Sequence, residues 1–172
     1  MANDRDPQIR RLETPDAALY RDIRLEALKL NPEAFGSTFE WEDAQPLAWF
    51  EASLGGAAIF GAFVDGALAG MAGFAGQESS KRAHKALLWG MYVRAAGRNA
   101  GVGKRLVAAV LDHARGRVEM VQLTVVSENE AARRLYRAMG FVEYGYEKRA
   151  LKQDGRYYDD VLMVNFLNEA SS

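Results

Sequence analysis

The segment that most constrains the fold is one in which a buried strand, a glycine-containing loop and an amphipathic helix follow directly on one another. Ala86 to Val93 is an apolar run of strand length. A short loop with Gly97 and Arg98 follows it. From Gly101 to about Arg115 apolar residues recur at helical spacing, and Gly116 is the expected stop. A strand that passes through so short a loop into a helix predicts a layered arrangement of helices on a sheet.

Helices and a hairpin precede this segment. Apolar residues from Leu19 to Leu30 recur at near-helical spacing, and Asn31-Pro32 ends the run. A second helical region is predicted from about Pro46 to Leu54. The pair Asp65-Gly66 joins two apolar runs, which predicts a two-residue β-hairpin.

A strand, a helix and two further strands are predicted after it. Val121 to Val126 is rich in β-branched residues and predicts a strand. Ser127 and Glu130 have the spacing of a capping box and predict the start of the next helix, which Gly140 ends. The last two strands are predicted at 142–146 and 160–166, separated by a polar loop with an Asp154-Gly155 turn.

The resulting order of elements predicts one mixed α/β domain over residues 1–172. Helices alternate with strands through the middle of the chain, but a hairpin opens the set and an antiparallel pair closes it. A purely parallel, doubly wound sheet therefore fits less well than a mixed sheet.

The loop before the second amphipathic helix has the features of an anion-binding site. The first N–H groups of a helix lack internal acceptors, and the helix dipole places partial positive charge there. Gly101 and Gly103 allow close approach of the backbone, while Arg98 and Lys104 add positive charge. A diphosphate is the favoured ligand; the alternative is a helix terminus with glycines that serve only tight packing.

Two common nucleotide-binding motifs do not fit this loop. The P-loop pattern G-x-x-x-x-G-K-[ST] is absent, since Lys104 is followed by Arg105. A dinucleotide fingerprint needs a third glycine, which the residues after Gly103 do not provide. A nucleotide-binding α/β domain is thus the weaker alternative.

Composition excludes several other chemistries. The chain has no cysteine, which removes disulfides, thiolate metal sites and a cysteine nucleophile. His84 and His113 are the two histidines and show no metal-ligand spacing, so we expect no metal. The net charge of -1 and the lack of any apolar run near ~20 residues lead us to expect neither a nucleic-acid nor a membrane partner. A polar start at 1–10 and the missing cysteine favour a cytoplasmic location.

Two stretches together resemble the GNAT superfamily of N-acetyltransferases. Arg98, Gly101 and Gly103 match its acyl-CoA-binding motif R/Q-x-x-G-x-G/A. Residues 123–141 are similar to its block L-x-V-x-x-x-N-x-x-A-x-x-L-Y-x-x-x-G-F, with Asn129 and Tyr136 in place. The resemblance covers nearly the whole chain. It implies an acyl-CoA N-acyltransferase fold, with a central mixed sheet of about six to seven strands and about four flanking helices.

The resemblance also implies a role for each matching position, with acetyl-CoA as cosubstrate. Met91, Tyr92 and Val93 would pair with the pantetheine arm as an added strand does. Asn129 would reach the cofactor with its side chain, and Tyr136 would point at the sulfur. The residues expected to donate backbone N–H groups to the phosphates are Arg98, Asn99, Ala100, Gly101, Val102, Gly103 and Lys104.

The implied reaction is direct transfer of an acetyl group to an amine. Tyr136 would protonate the departing thiolate as a general acid, and a strand N–H near Tyr92 would stabilise the oxyanion. No covalent enzyme intermediate is needed, which agrees with the missing cysteine. Alternatively, Tyr136 is a packed helix aromatic beside Leu135 and Phe141.

The general base is the point at which this sequence departs from the family. Many relatives carry a glutamate on the strand before the phosphate loop, where this chain has Leu87. The remaining candidates are a water chain or one of four side chains: Glu33, Glu40, Glu42 and His84.

The acceptor is left open by the sequence. A small primary amine (amino-acid-like, polyamine or drug-like) is the first hypothesis, and a protein lysine or N-terminus is the second. A non-catalytic CoA-binding regulatory module is the third. Residues 35–49 and 154–160 are expected to select the acceptor, since acidic and aromatic side chains there suit a cationic amine, although Tyr157 and Tyr158 equally fit a strand edge. A homodimer is expected from the resemblance.

Overall fold

The computed structural model describes residues 6–167, in which seven strands form one sheet flanked by five α-helices. The strands are β1 (Gln8–Arg11), β2 (Ala58–Val64), β3 (Ala67–Gly76), β4 (Lys85–Val93), β5 (Met120–Val126), β6 (Val142–Gln153) and β7 (Arg156–Phe166). The helices are α1 (Ala17–Leu30), α2 (Phe39–Asp43), α3 (Leu47–Gly56), α4 (Val102–Ala114) and α5 (Glu130–Ala138). The mixed α/β class and the strand number are confirmed. The fifth helix is α2, a single short turn.

The sheet is antiparallel except at its centre. Its strand order is β1-β2-β3-β4-β5-β7-β6, and only β4 and β5 run parallel among the described strands. Parallel neighbours need a long crossover connection. Helix α4 provides it, which places the N-terminus of α4 at the end of β4.

Strands β4 and β5 separate soon after they meet. They pair only where Lys85–Leu87 lies beside Met120–Gln122. Farther along, Gly90 adopts a positive φ of 64° and the register of β4 against β3 shifts at this point. The strands therefore diverge, and the backbone of each is left unpaired on the side that faces the other.

Both hairpins turn on an Asp-Gly pair. Asp65-Gly66 and Asp154-Gly155 each have two consecutive positive φ angles, as a type I′ turn requires. The first hairpin confirms the prediction. At the second, the predicted polar loop is wrong, because β6 and β7 continue as far as Gln153 and Arg156. Polar side chains on the exposed edge strand β6 conceal the alternation that usually indicates a strand.

The sheet has a hydrophobic cluster on each face. One cluster packs against α1 and α3 and includes Ile23 and Phe50. The other packs against α4 and α5. In it, the predicted apolar face of α4 is buried, which confirms that pattern: Val102, Leu106, Val107, Val110 and Leu111.

Helix α5 begins later than the sequence predicts. Ser127 does not cap it: the Ser127 N–H donates to the Asp159 carbonyl at 2.8 Å, so this residue still belongs to the edge of the sheet. Asn129 is the N-cap, and its Oδ1 accepts from the Ala132 N–H at 3.2 Å. The predicted capping box is therefore wrong.

A buried ion pair joins α1 to α2. Arg24 donates from Nε and a terminal nitrogen to the two carboxylate oxygens of Glu42 at 2.9 and 2.8 Å. The two residues are 8% and 2% exposed. The pair holds α2, and the turn Pro32–Ala34 before it, against the sheet.

Replacement of Glu42 by alanine is expected to reduce the free energy of unfolding by about 3–5 kcal/mol, because it leaves the buried Arg24 charge unpaired. Asp43→Ala is the matched control, since it removes the exposed Arg21–Asp43 pair at 2.8 Å. We expect the control to cost less than about 1 kcal/mol. Urea unfolding measures both, and equal losses would contradict the assignment.

Candidate active site

The start of α4 presents unpaired backbone N–H groups to a cleft. Gly101 caps the helix in the left-handed conformation, with φ 72°. The first helical hydrogen bond runs from Arg105 N to Gly101 O, so the N–H groups of Val102, Gly103 and Lys104 have no intrahelical acceptor. These three residues line a cleft of about 450 Å³.

Most of the predicted cofactor-contacting residues meet in this cleft. Those that line it are Met91, Tyr92, Val93, Arg98, Gly101, Val102, Gly103, Lys104, Asn129 and Tyr136. Two of the predicted set do not. Asn99 is exposed outside the cleft, and Ala100 packs against the hydrophobic cluster under α4. The side chains of these two residues therefore lie away from the cleft, and the donation of their backbone N–H groups to the phosphates stays a prediction.

Two positive side chains remain free at this end of the cleft. Neither Arg98 nor Lys104 forms an ion pair with any residue in 6–167. Arg98 Nε donates to the Val93 carbonyl at 3.2 Å, which fixes the guanidinium beside the loop. Arg105, in contrast, turns away to Asp6 at 2.5 Å. Free cations beside unpaired N–H groups suit a diphosphate.

Gly103 sets the width of the cleft. A Cβ at this position would lie 3.1 Å from Leu135 Cδ2 and 3.5 Å from Met91 Cε. The start of α4 thus approaches both α5 and β4 as closely as a glycine allows. The cleft therefore has apolar walls at this point and positive side chains at its α4 end.

The backbone of β4 offers hydrogen bonds to an extended ligand in the gap. Arg94 N donates to Ala69 O on β3 at 2.8 Å. Because backbone groups alternate along a strand, Tyr92 also faces β3, whereas Met91 and Val93 face the gap. The backbone direction therefore favours Met91 and Val93, rather than Tyr92 itself, for the oxyanion donor expected near Tyr92.

The side chain of Tyr92 lies on the other face of the sheet, under α1. It is buried in the cluster under α1, and its hydroxyl donates to Glu26 Oε2 at 2.8 Å. Glu26 also accepts from Arg94 Nε at 3.0 Å. Burial first, and then the bond to Glu26, raises the pKa of Tyr92. This phenol therefore holds the end of β4 in place.

Tyr136 fits both interpretations that the sequence allows: its ring is a packed helix aromatic, and its hydroxyl lies where a proton donor is expected. Its ring packs edge-on against Phe141 at 5.8 Å between centroids, and the residue is 5% exposed. Its hydroxyl lies at the cleft and makes no hydrogen bond within residues 6–167, although it is not fully occluded. Burial raises the pKa of Tyr136, so the phenol keeps its proton at neutral pH. A protonated, unpaired hydroxyl is ready to donate.

The two polar atoms of the Asn129 side chain have different surroundings. Its oxygen caps α5, as described above, and the residue lines the cleft and two cavities that adjoin it. The amide nitrogen is left as a donor for a ligand.

Of the side chains considered as general base, only Glu33 lines the cleft. Leu87 lies in the paired part of β4 and is 39% exposed outside it. Glu42 is held in the buried ion pair with Arg24, and Glu40 is exposed on α2. His84 precedes β4 at the opposite end of the strand.

The turn after α1 supplies site residues that the motifs do not indicate. Asn31, Glu33, Ala34 and Phe35 line the cleft opposite α5. Of the region 35–49 expected to select the acceptor, Phe35 is the residue that reaches the cleft. The helix end at Asn31-Pro32 is the one signal in the sequence for a change of direction there, and it does not tell where the turn packs.

The described residues lack two further features. No group of three or more His, Cys, Asp or Glu side chains in 6–167 is arranged to hold a metal ion. No helix in that range has both the length and the apolar character needed to cross a membrane.

Comparison of the fold finds the same architecture in solved structures. The Salmonella typhimurium protein yncA, solved with its cofactor acetyl-CoA, superimposes with a TM-score of 0.78 at 24% identity, over 97% of each chain. The ribosomal-protein-alanine N-acetyltransferase of Brucella melitensis gives 0.77 at 24% identity, over 92% of this chain and 99% of that one.

Comparison of the sequence identifies the family. N-alpha-acetyltransferase RimI of Mycobacterium tuberculosis is 44% identical over 55 residues, which are 32% of this chain and 34% of that protein. The match thus spans about a third of this curated relative. The model of the acetyltransferase (GNAT) family matches residues 20–141, most of the chain. The chain therefore belongs to the acetyltransferase (GNAT) family.

Proposed function

We propose that this protein transfers the acetyl group of acetyl-CoA directly to a primary amine of a small molecule (amino-acid-like, polyamine or drug-like). One observation carries the proposal: the unpaired N–H groups that open α4 and the free hydroxyl of Tyr136 line the same cleft. Family membership and the acetyl-CoA in the yncA structure support the choice of cosubstrate.

Each wall of the cleft has one part in this reaction. Val102, Gly103 and Lys104 donate backbone N–H groups to the diphosphate, with Arg98 beside them. Met91 and Val93 present the free edge of β4 to the pantetheine arm, and one of their N–H groups donates to the thioester oxygen as negative charge develops there. Acetyl-CoA supplies the activated acetyl group.

Proton transfer to the sulfur is carried out from the opposite wall of the cleft, by Tyr136. Tyr136 gives its proton to the sulfur as the C–S bond breaks, and its raised pKa keeps that proton available. The acceptor must lose a proton before it attacks. Glu33 is the proposed acceptor of this proton, through water, since it is the one candidate base that lines the cleft.

Acetylation of a protein N-terminus or lysine is the second candidate, which the RimI relative favours. The shape of the acceptor end supports the small molecule instead. The turn Pro32–Ala34 contacts β6, and Arg156 on β7 is bound to Glu128 before α5 at 2.7 and 2.9 Å, and we expect these neighbours to limit the room for a peptide chain. An acetyl-CoA consumption screen over amino acids, polyamines, aminoglycosides and short peptides separates the candidates. Turnover confined to peptides would contradict the small-molecule proposal.

The proposal also includes three features that the sequence favours: one acetyltransferase domain over residues 1–172, a homodimer and a cytoplasmic location. Light scattering in solution tests the dimer, since the expected mass is twice the 19.0 kDa of one chain. Cell fractionation tests the location.

Tyr136→Phe is expected to leave the affinity for CoA nearly unchanged and to lower kcat about 10²- to 10⁴-fold, because only the proton donor is removed. The matched control is Tyr144→Phe, which removes an exposed phenol on β6 that accepts from Gln122. Steady-state kinetics and calorimetry with CoA measure the two effects. Unchanged turnover would contradict the acid role, and full CoA binding without turnover in the wild type would favour the non-catalytic CoA-binding module.

Lys104→Met is expected to weaken CoA binding about tenfold at low salt, since it removes a free charge beside the diphosphate. Raising the salt concentration should shrink this difference. Arg105→Met is the control: it removes the same charge one residue later, but on the face that pairs with Asp6. Calorimetric titration with CoA measures both variants. Equal weakening by the two would show a general effect of charge and contradict a localised phosphate site.

A further inference from the structure

One carboxylate oxygen on α1 binds both neighbours of a residue that faces the gap. Glu26 Oε2 accepts from the Tyr92 hydroxyl at 2.8 Å and from Arg94 Nε at 3.0 Å. Tyr92 and Arg94 stand on either side of Val93 in the chain. The carboxylate therefore holds the backbone just before and just after Val93.

Arg94 is also held by β3. Its guanidinium donates to the Leu68 carbonyl at 2.8 Å, and its backbone N–H donates to the Ala69 carbonyl at 2.8 Å. Its own carbonyl accepts from the Gly97 N–H at 2.9 Å. The turn Ala95–Gly97, which leads into the phosphate loop, thus starts from a residue that both α1 and β3 keep in place.

Arg98 follows this turn and returns to the fixed segment. Its backbone N–H donates to the Ala95 carbonyl at 3.3 Å, and its Nε donates to the Val93 carbonyl at 3.2 Å. The charge of Arg98 also opposes the rise in the pKa of Tyr92 that burial and Glu26 cause, so it lies near that hydroxyl. The direction of the Arg98 guanidinium therefore depends on where the Val93 carbonyl points.

The turn between these residues has little room to adjust. Gly97 is buried, and a Cβ at this position would lie 3.2 Å from both Ala69 Cβ and Val93 Cγ1. Closely packed segments transmit a displacement instead of absorbing it. A shift of Val93 is therefore expected to move Arg98 as well.

We propose that Glu26 is a positioning residue for CoA: it holds the Val93 carbonyl in place, and this carbonyl directs the Arg98 guanidinium towards the diphosphate. Glu26 does not line the cleft and acts through Arg98. The inference rests on the CoA site of the proposed function, and it adds a residue of α1 that lies outside both sequence motifs.

The sign of the effect separates this role from a simple effect of charge. Glu26 is negative, so removal of its charge alone should tighten the binding of the anionic CoA. Loss of the anchor should weaken binding instead. Glu26→Ala removes both charge and anchor. Glu26→Gln removes only the charge, since a single amide oxygen can accept both bonds that Oε2 accepts.

Calorimetric titration with CoA measures these variants. Glu26→Ala is expected to bind about three- to tenfold more weakly than the wild type. Glu26→Gln should bind within about twofold of the wild type, or more tightly. Tyr92→Phe removes one of the two bonds to Glu26 and should give a smaller loss than Glu26→Ala. Asp22→Ala is the matched control, since it removes an exposed carboxylate one turn earlier on α1 and should leave the affinity unchanged.

Double variants test whether the effect passes through Arg98. In the background of Arg98→Met, Glu26→Ala should have almost no further effect, because the guanidinium that Glu26 positions is gone. In the background of Lys104→Met, it should weaken CoA binding by the same factor as in the wild type, because Lys104 on α4 acts independently. If Glu26→Ala does not fold, Tyr92→Phe takes its place in both backgrounds.

The possible failures are distinguishable. Unchanged or tighter binding in Glu26→Ala, equal losses in the alanine and glutamine variants, or equal losses in the two backgrounds would overturn the positioning role while the CoA site stands. Wild-type protein that does not bind CoA would overturn the proposed function and this inference with it.

Discussion

The separation of β4 from β5 is the constraint on which the site depends. Two parallel strands that stayed paired would close the sheet and leave no room for a ligand. Here the pairing stops after Leu87, and the left-handed Gly90 helps β4 to bend away. The gap exposes the backbone of Met91 and Val93, ends at the first turn of α4, and is faced by Tyr136 on α5. Three independent elements thus converge on one channel because one pair of strands diverges.

Packing around the gap explains how so open a feature remains stable. Arg24 is the central side chain: it pairs with Glu42, and its guanidinium lies 5.1 Å from the Phe35 ring and 5.8 Å from the Trp89 ring. It therefore links α1, the turn that covers the cleft, and β4 next to the bend. On the other side, Gly103 lets α4 rest against Leu135 of α5. The contacts of Arg24 on one side and of Gly103 with Leu135 on the other keep the walls of the gap apart.

The sequence predicts best what local spacing determines. The apolar face of α4 and the Asp65-Gly66 hairpin follow from patterns within short stretches, whereas the convergence of Arg98, Gly103 and Tyr136 follows from the family resemblance. Contacts between distant segments are harder to predict. The bond from Ser127 to Asp159 delays α5, and the pairing of Glu42 with Arg24 removes a candidate base from the site. The turn that brings Glu33 and Phe35 to the cleft likewise arises from tertiary packing.

Backbone amide chemical shifts report most directly on the central claim, that the gap and the helix start together bind CoA. In a ¹⁵N–¹H titration with CoA, the amides of Met91, Val93 and Val102–Lys104 should shift strongly, while those of the Asp65-Gly66 hairpin should stay in place. Saturating CoA that leaves the Val102–Lys104 amides unmoved, or that shifts amides elsewhere in the sheet instead, would contradict the claim.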